Sequence, residues 1–138
     1  MTRSIEFRDD PPEEPAAPMR LYVCTTCREP GDDAGDLAAR AGARLYAALI
    51  AEPADPAIAI VPVECLSVCT RSCAASFAAP GKWTYVYGDL PSADAARILL
   101  DGARLYAQAG DGLIPWKQRP TALKKGVVAR VPPLPGAA

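Results

Sequence analysis

The sequence predicts a single α/β domain, a small mixed sheet with helices packed on it. Short runs rich in branched and aromatic residues alternate with two long stretches of helical periodicity. Their order is strand, helix, strand, cysteine segment, hairpin, helix. A strand–helix–strand start suits a parallel pair joined by a right-handed crossover. The chain has 138 residues, 50% of them hydrophobic, which suits one domain with its own core.

Residues 1–18 read as an acidic disordered arm, with Glu6, Asp9, Asp10, Glu13 and Glu14 among prolines and few large apolar residues. The domain proper spans 19–112, and 113–138 forms a proline-rich basic tail laid over it. The first strand is 19–23, leading directly into Cys24. Loop follows through Pro30, Gly31 and paired aspartates. A helix is expected over 36–51, with Asp36 at its start and Leu37, Ala41, Leu45, Ala48 and Leu49 on its buried face. The second strand, 58–63, ends at Glu64 and Cys65. Residues 74–79 and 82–87 form a hairpin around Pro80-Gly81. Trp83, Tyr85 and Tyr87 share one face of its second strand and are assigned to core packing. Ser92 is the expected N-cap of a last helix reaching Gln108, with Ala95, Ile98, Leu99, Gly102 and Tyr106 toward the sheet. The hexapeptide Gly-Ala-Arg-Leu-Tyr-Ala occurs twice, at 42–47 and 102–107, and is read as convergence in an alanine-rich chain. Together these elements have the layout of a thioredoxin-like sandwich.

The layout sets both cysteine groups just after strand ends, at one edge of the sheet. The chain has five cysteines and no histidine. Cys24 and Cys27 form a Cys-x2-Cys step; Cys65, Cys69 and Cys73 follow at spacings of four. An odd thiol count fits a disulfide framework poorly. Three chemistries remain, beside the reading of five buried cysteines as small hydrophobes, which two groups at strand ends disfavour. Two close pairs suit a [2Fe–2S] cluster, in which each iron takes two thiolates. Four thiolates also suit zinc, although zinc ribbons usually repeat the Cys-x2-Cys knuckle. Cys24 and Cys27 also suit a thiol–disulfide oxidoreductase, but the stretch after them reads as loop rather than helix, and no proline stands just before the hairpin.

The pattern Val23-Cys24-Thr25-Thr26-Cys27, then Glu64 through Cys73, then Pro80-Gly81-Lys82-Trp83 resembles the thioredoxin-like [2Fe–2S] ferredoxins. More narrowly, it resembles a bacterial family of short metal-binding ferredoxin-like proteins associated with cobalamin biosynthesis. The resemblance spans about residues 20–132. It implies a cluster held by Cys24, Cys27, Cys65 and Cys69, with Cys73 as a spare. The broader class separates its first two cysteines by more than two residues, so Cys73 stands as the substitute for Cys27. The implied function is electron transfer to a redox partner protein. The alternatives are a zinc- or cobalt-binding module that stores, delivers or senses metal, and the Cys24/Cys27 dithiol enzyme. Subunits of the class commonly pair, which makes a homodimer an expectation too.

Other features set limits. A net charge of −1 argues against nucleic acid as the partner. No apolar run approaches the ~20 residues that span a bilayer, and the polar first residues do not read as a signal peptide. The expected address is cytoplasmic, where clustered thiols more often bind metal or do redox work than form disulfides. Without histidine there is no imidazole base, so catalysis is not expected. Glu64 reads as a solvated carboxylate, and Arg71 as a surface arginine or a contact for a partner. The segment Ile114 to Pro120 reads either as a docking surface or as a fold-back anchored by Trp116.

Overall fold

The computed structural model describes residues 18–28, 31–32, 35–67, 71–91 and 94–135. The acidic arm, apart from Pro18, lies outside them, as do Cys69 and Ser92.

Five strands form one sheet: β1 (Met19–Cys24), β2 (Ile58–Val63), β3 (Ala75–Ala78), β4 (Thr84–Tyr87) and β5 (Val127–Val131). Their order across the sheet is β2-β1-β3-β4-β5. β1 and β2 run parallel, with Met19 opposite Ile58 and Cys24 opposite Val63. All other neighbours are antiparallel. The crossover between β1 and β2 is α1 (Ala41–Ala51), and α2 (Ala95–Gln108) packs beside it. Alternation in β1 buries Met19, Leu21 and Val23 and leaves Arg20 exposed. Leu21 stands opposite Ile60 on one side and Phe77 on the other. Phe77, Tyr85, Tyr87 and Tyr106 then pack ring against ring, with centroids 5.0–6.3 Å apart. Tyr85 and Tyr87 are thus core residues, as expected, while Trp83 precedes the strand and is half-buried.

Several boundaries differ from expectation, each for a local reason. A separate 3-10 turn occupies Leu37–Ala39, and α1 starts only at Ala41. Leu37 is 59% exposed rather than buried, and Ala48 is exposed too. Asp36 makes no side-chain cap bond; the Oδ2 of Asp32 accepts the Ala41 N–H at 2.9 Å instead. The hairpin turn forms as expected, with Gly81 at φ +73°. In the last helix Leu100 and Ala103 join the buried face, and Ile98 is only half-buried.

The proline-rich segment is not simply extended. It contains a 3-10 turn at Trp116–Gln118, the short helix α3 (Thr121–Lys125), and β5, which adds to the sheet beside β4. Ile114 and Leu123 anchor it, being 2% and 0% exposed. Trp116 is not the anchor, at 58% exposed. Among the described residues no helix is long and apolar enough to cross a membrane.

Candidate metal centre

The register sets Cys24 beside the turn that carries Cys65. Cys24 is the last residue of β1, and its partner Val63 is the last of β2, two positions before Cys65. The Cys24 N–H also bonds the Ala74 carbonyl at 3.1 Å, so the chain leaving Cys73 passes directly beside it. One end of the sheet therefore gathers Cys24, Cys27, the Glu64–Ser67 turn and the Ser72–Ala74 entry to β3.

The turn after β1 is held on two sides. The Thr25 N–H and hydroxyl both donate to the Val63 carbonyl, at 2.9 and 3.2 Å. The Thr26 hydroxyl donates to the Glu64 carbonyl. From the other side the Gly42 N–H in the first turn of α1 donates to the Cys27 carbonyl at 3.0 Å, and Arg40 Nη1 to the Thr26 carbonyl at 3.1 Å. Gly42 has no room for a side chain. A Cβ there would collide with the Cys24 carbonyl oxygen and lie 3.0 Å from the Cys27 nitrogen.

Cys24 and Cys27 are buried, at 2% and 4% exposure, and their thiols hydrogen-bond each other. Burial pushes the Cys24 thiol up, but the Cys27 hydrogen bond and those from Thr26 and the Leu66 amide outweigh it and leave it below 9.0. Burial and the charge of Cys24 push Cys27 up to about 12, against the pull of the Ala74 amide and Ser72. The Cys24 thiol donates to the Glu64 carbonyl at 3.6 Å. Cys65 is exposed, and its sulfur accepts the Ser67 N–H at 3.2 Å. The Ser67 amide donates to the Cys65 sulfur, and the amides of Leu66 and Ala74 hold the Cys24 and Cys27 thiols lower than burial alone would. Such donors stabilise thiolate, the form that binds metal.

Cys73 is different. It is 0% exposed, packs in the core, and exchanges backbone hydrogen bonds with Leu90 at 3.5 and 3.3 Å. Arg71, two residues before it, pairs with Asp89 at 2.7 Å on the surface. Glu64 is exposed, and it is its carbonyl that serves the site. Among the described residues no three Cys, Asp or Glu side chains are placed to hold a single ion. A two-iron cluster asks for something else, two separate thiolate pairs. Cys24 and Cys27 form such a pair, and Cys65 opens the second from the neighbouring turn. The donor set therefore fits a cluster in its chemistry. Cys69, which the sequence resemblance implies as the fellow of Cys65, lies outside the described residues.

The family described as "Protein of unknown function (DUF1636)" matches residues 21–133. The chain belongs to that family. No curated protein matches the sequence. Two solved structures resemble the fold. One is a thioredoxin-like [2Fe-2S] ferredoxin from Aquifex aeolicus, 21% identical, with a TM-score of 0.53 over 88% of this chain and 98% of the other. The second, described as the wild type thioredoxin-like [2Fe-2S] ferredoxin from the same organism, is 19% identical, with a TM-score of 0.51 over 83% of this chain and 99% of its own. At such identity the likeness shows the fold, and the fold is thioredoxin-like α/β.

Sequence reasoning placed the thiols at one sheet edge but missed Gly42, Asp32 and the amides of Leu66, Ser67 and Ala74. Amides leave no trace in residue type. Gly42 did leave one, as the first residue of the repeated hexapeptide.

Proposed function

We propose that the chain is a [2Fe–2S] electron carrier rather than an enzyme, with Cys24 and Cys27 as one ligand pair and Cys65 and Cys69 as the other. The observation that carries this reading is the placing of the Cys24–Cys27 turn beside the turn that bears Cys65, at one end of a thioredoxin-like sheet, with the Ser67 N–H on the Cys65 sulfur. When bound, the cluster accepts and releases one electron. The chain's own residues hold the thiolates in place and set how readily that happens. The amides of Leu66, Ser67 and Ala74 offset negative charge on sulfur, which favours the reduced state. Burial of Cys24 and Cys27 shields one pair from water, and exposed Cys65 marks the side open to a redox partner. Cys27 rather than Cys73 is taken as the fourth ligand, because it shares the turn after β1 with Cys24, whereas Cys73 is bonded through its backbone to Leu90. The partner is a protein that takes single electrons; the sequence resemblance suggests cobalt reduction in cobalamin synthesis, in the cytoplasm.

Replacing each cysteine by serine tests the ligand set. The expected result is loss of the visible bands in the variants at Cys24, Cys27, Cys65 and Cys69, and their retention in Cys73→Ser. Retention in Cys27→Ser with loss in Cys73→Ser exchanges the two.

One observation favours a second reading. The depressed Cys24 beside the raised Cys27 is the split expected of a dithiol oxidoreductase. Insulin reduction by the metal-free chain, abolished in Cys24→Ser, is the result that supports it.

A further inference from the structure

The two ends of the chain carry opposite charge. Residues 1–17 hold five acids against two arginines. Residues 112–138 hold Lys117, Arg119, Lys124, Lys125 and Arg130 and no acid at all. Among the described residues none of these five cations pairs with a carboxylate. Three of them sit against aromatic rings instead. Arg119 and Lys124 flank the Trp116 ring, 5.4 and 5.6 Å from its centroid, and Arg130 lies over Trp83 at 5.2 Å. Lys117 follows Trp116 directly and is exposed. Arg119 is fixed there, donating to the Ile114 carbonyl at 2.9 Å and the Tyr85 hydroxyl at 3.1 Å. An exposed tryptophan held between ordered cations has the composition of a binding hot spot for an acidic segment.

We propose that this face is the docking surface for the chain's own residues 1–17. Two facts beyond charge favour that occupant. The first is where the described chain begins. Pro18 lines the same cavity as Lys82, and the next residue, Trp83, bonds the Asp111 carbonyl at 2.9 Å, five positions before Trp116. The arm thus leaves the body beside the segment that carries the basic face. The second is reach: 17 residues extend to about 60 Å, well beyond the radius of gyration of about 14 Å for a domain this size. A tethered segment binds at high effective concentration, so weak ionic contacts suffice. Any acidic protein that uses the Trp116 face must displace the arm. The inference rests on charge and exposure and is independent of the cluster.

Carbodiimide coupling on the full chain, with peptide mapping, tests it. At about 0.01 M salt the expected products, within single chains, join Asp9, Asp10, Glu13 or Glu14 to Lys117, Lys124 or Lys125. Their yield should fall at least five-fold at about 1 M salt, where the Debye length shrinks from about 30 Å to about 3 Å. Absence of these products, or a yield indifferent to salt, overturns the proposal and leaves the face to an external acidic protein. Products that join only chains of different isotope label in a mixed sample also overturn it, in favour of a second copy. A second measurement leaves the folded body untouched. In D9N/D10N/E13Q/E14Q the indole N–H resonance of Trp116, assigned with W116F, should move from its wild-type position at low salt and coincide with it at high salt. Coincidence at both salts overturns the proposal.

Discussion

Gly42 and Cys24 meet so closely that a single methyl group at Gly42 would strike the Cys24 carbonyl oxygen. The obstacle is backbone, pinned in turn by the Cys24–Ala74 ladder bond. Gly102, the equivalent residue of the repeated hexapeptide, meets a softer neighbour, the Leu123 side chain, with Phe77 Cζ at 3.3 Å. Gly42→Ala is therefore expected to destabilise the protein by about 1–3 kcal/mol through overpacking. It should also lower iron retention, because the Cys24–Cys27 turn must shift. Gly102→Ala should cost less, since Leu123 can rotate and alanine favours helix by about 1 kcal/mol. Denaturant unfolding of both variants checks the order.

The four packed rings separate hydroxyls that are used from one that is not. Tyr106 donates to the Trp83 carbonyl at 2.6 Å. The Tyr85 hydroxyl accepts from the Ile114 N–H at 3.2 Å and from Arg119. The Tyr87 hydroxyl is buried with no partner among the described residues. Removing a satisfied hydroxyl leaves its partner orphaned, at about 1–3 kcal/mol; removing an orphaned one does not. Tyr106→Phe and Tyr85→Phe should lower the melting temperature, and Tyr87→Phe should leave it unchanged or raise it. Three thermal melts decide this.

In the metal-free chain the thiols should differ in reactivity. Cys65 is exposed and should be methylthiolated first. Cys24, held below 9.0, should precede Cys27, and Cys73, with no exposure, should come last. Folding keeps Cys27 as a neutral thiol, so the stability it contributes is full below pH 9.0 and is lost as pH rises toward about 12. Cys24 has the opposite sign, contributing above pH 9.0 and losing its contribution as pH falls through its depressed value. Replacing Cys27 by alanine should therefore flatten the alkaline loss of stability. Peptide mapping after brief labelling and urea midpoints against pH are the measurements.

Much of the fold was legible because periodicity and punctuation are local signals. The run 58–63, the Pro80-Gly81 turn and the stripe through Leu45 and Leu49 all read correctly from composition. The misreadings arose where distant residues decide. Leu37 has helical spacing, yet Asp32 starts the helix at Ala41 and leaves Leu37 outside. β5 is short and lies among prolines, and only its pairing with β4 makes it a strand. Trp116 looked as suited to anchoring as to docking; Ile114 and Leu123 took the anchor's place. In the repeated hexapeptide, Gly42 lies at the start of α1 against the Cys24–Cys27 backbone and Gly102 lies mid-way along α2 against Leu123, while Arg44 and Arg104 each face an aspartate, Asp32 and Asp55.

Paired thiolates at this end of the sheet are proposed to hold a two-iron cluster. Visible spectroscopy with iron and acid-labile sulfide analysis, on anaerobically purified full chain, tests it most directly. The expected result is a red-brown protein with iron and sulfide each at about two per chain. A colourless protein carrying one zinc after expression in iron-replete cells would contradict it.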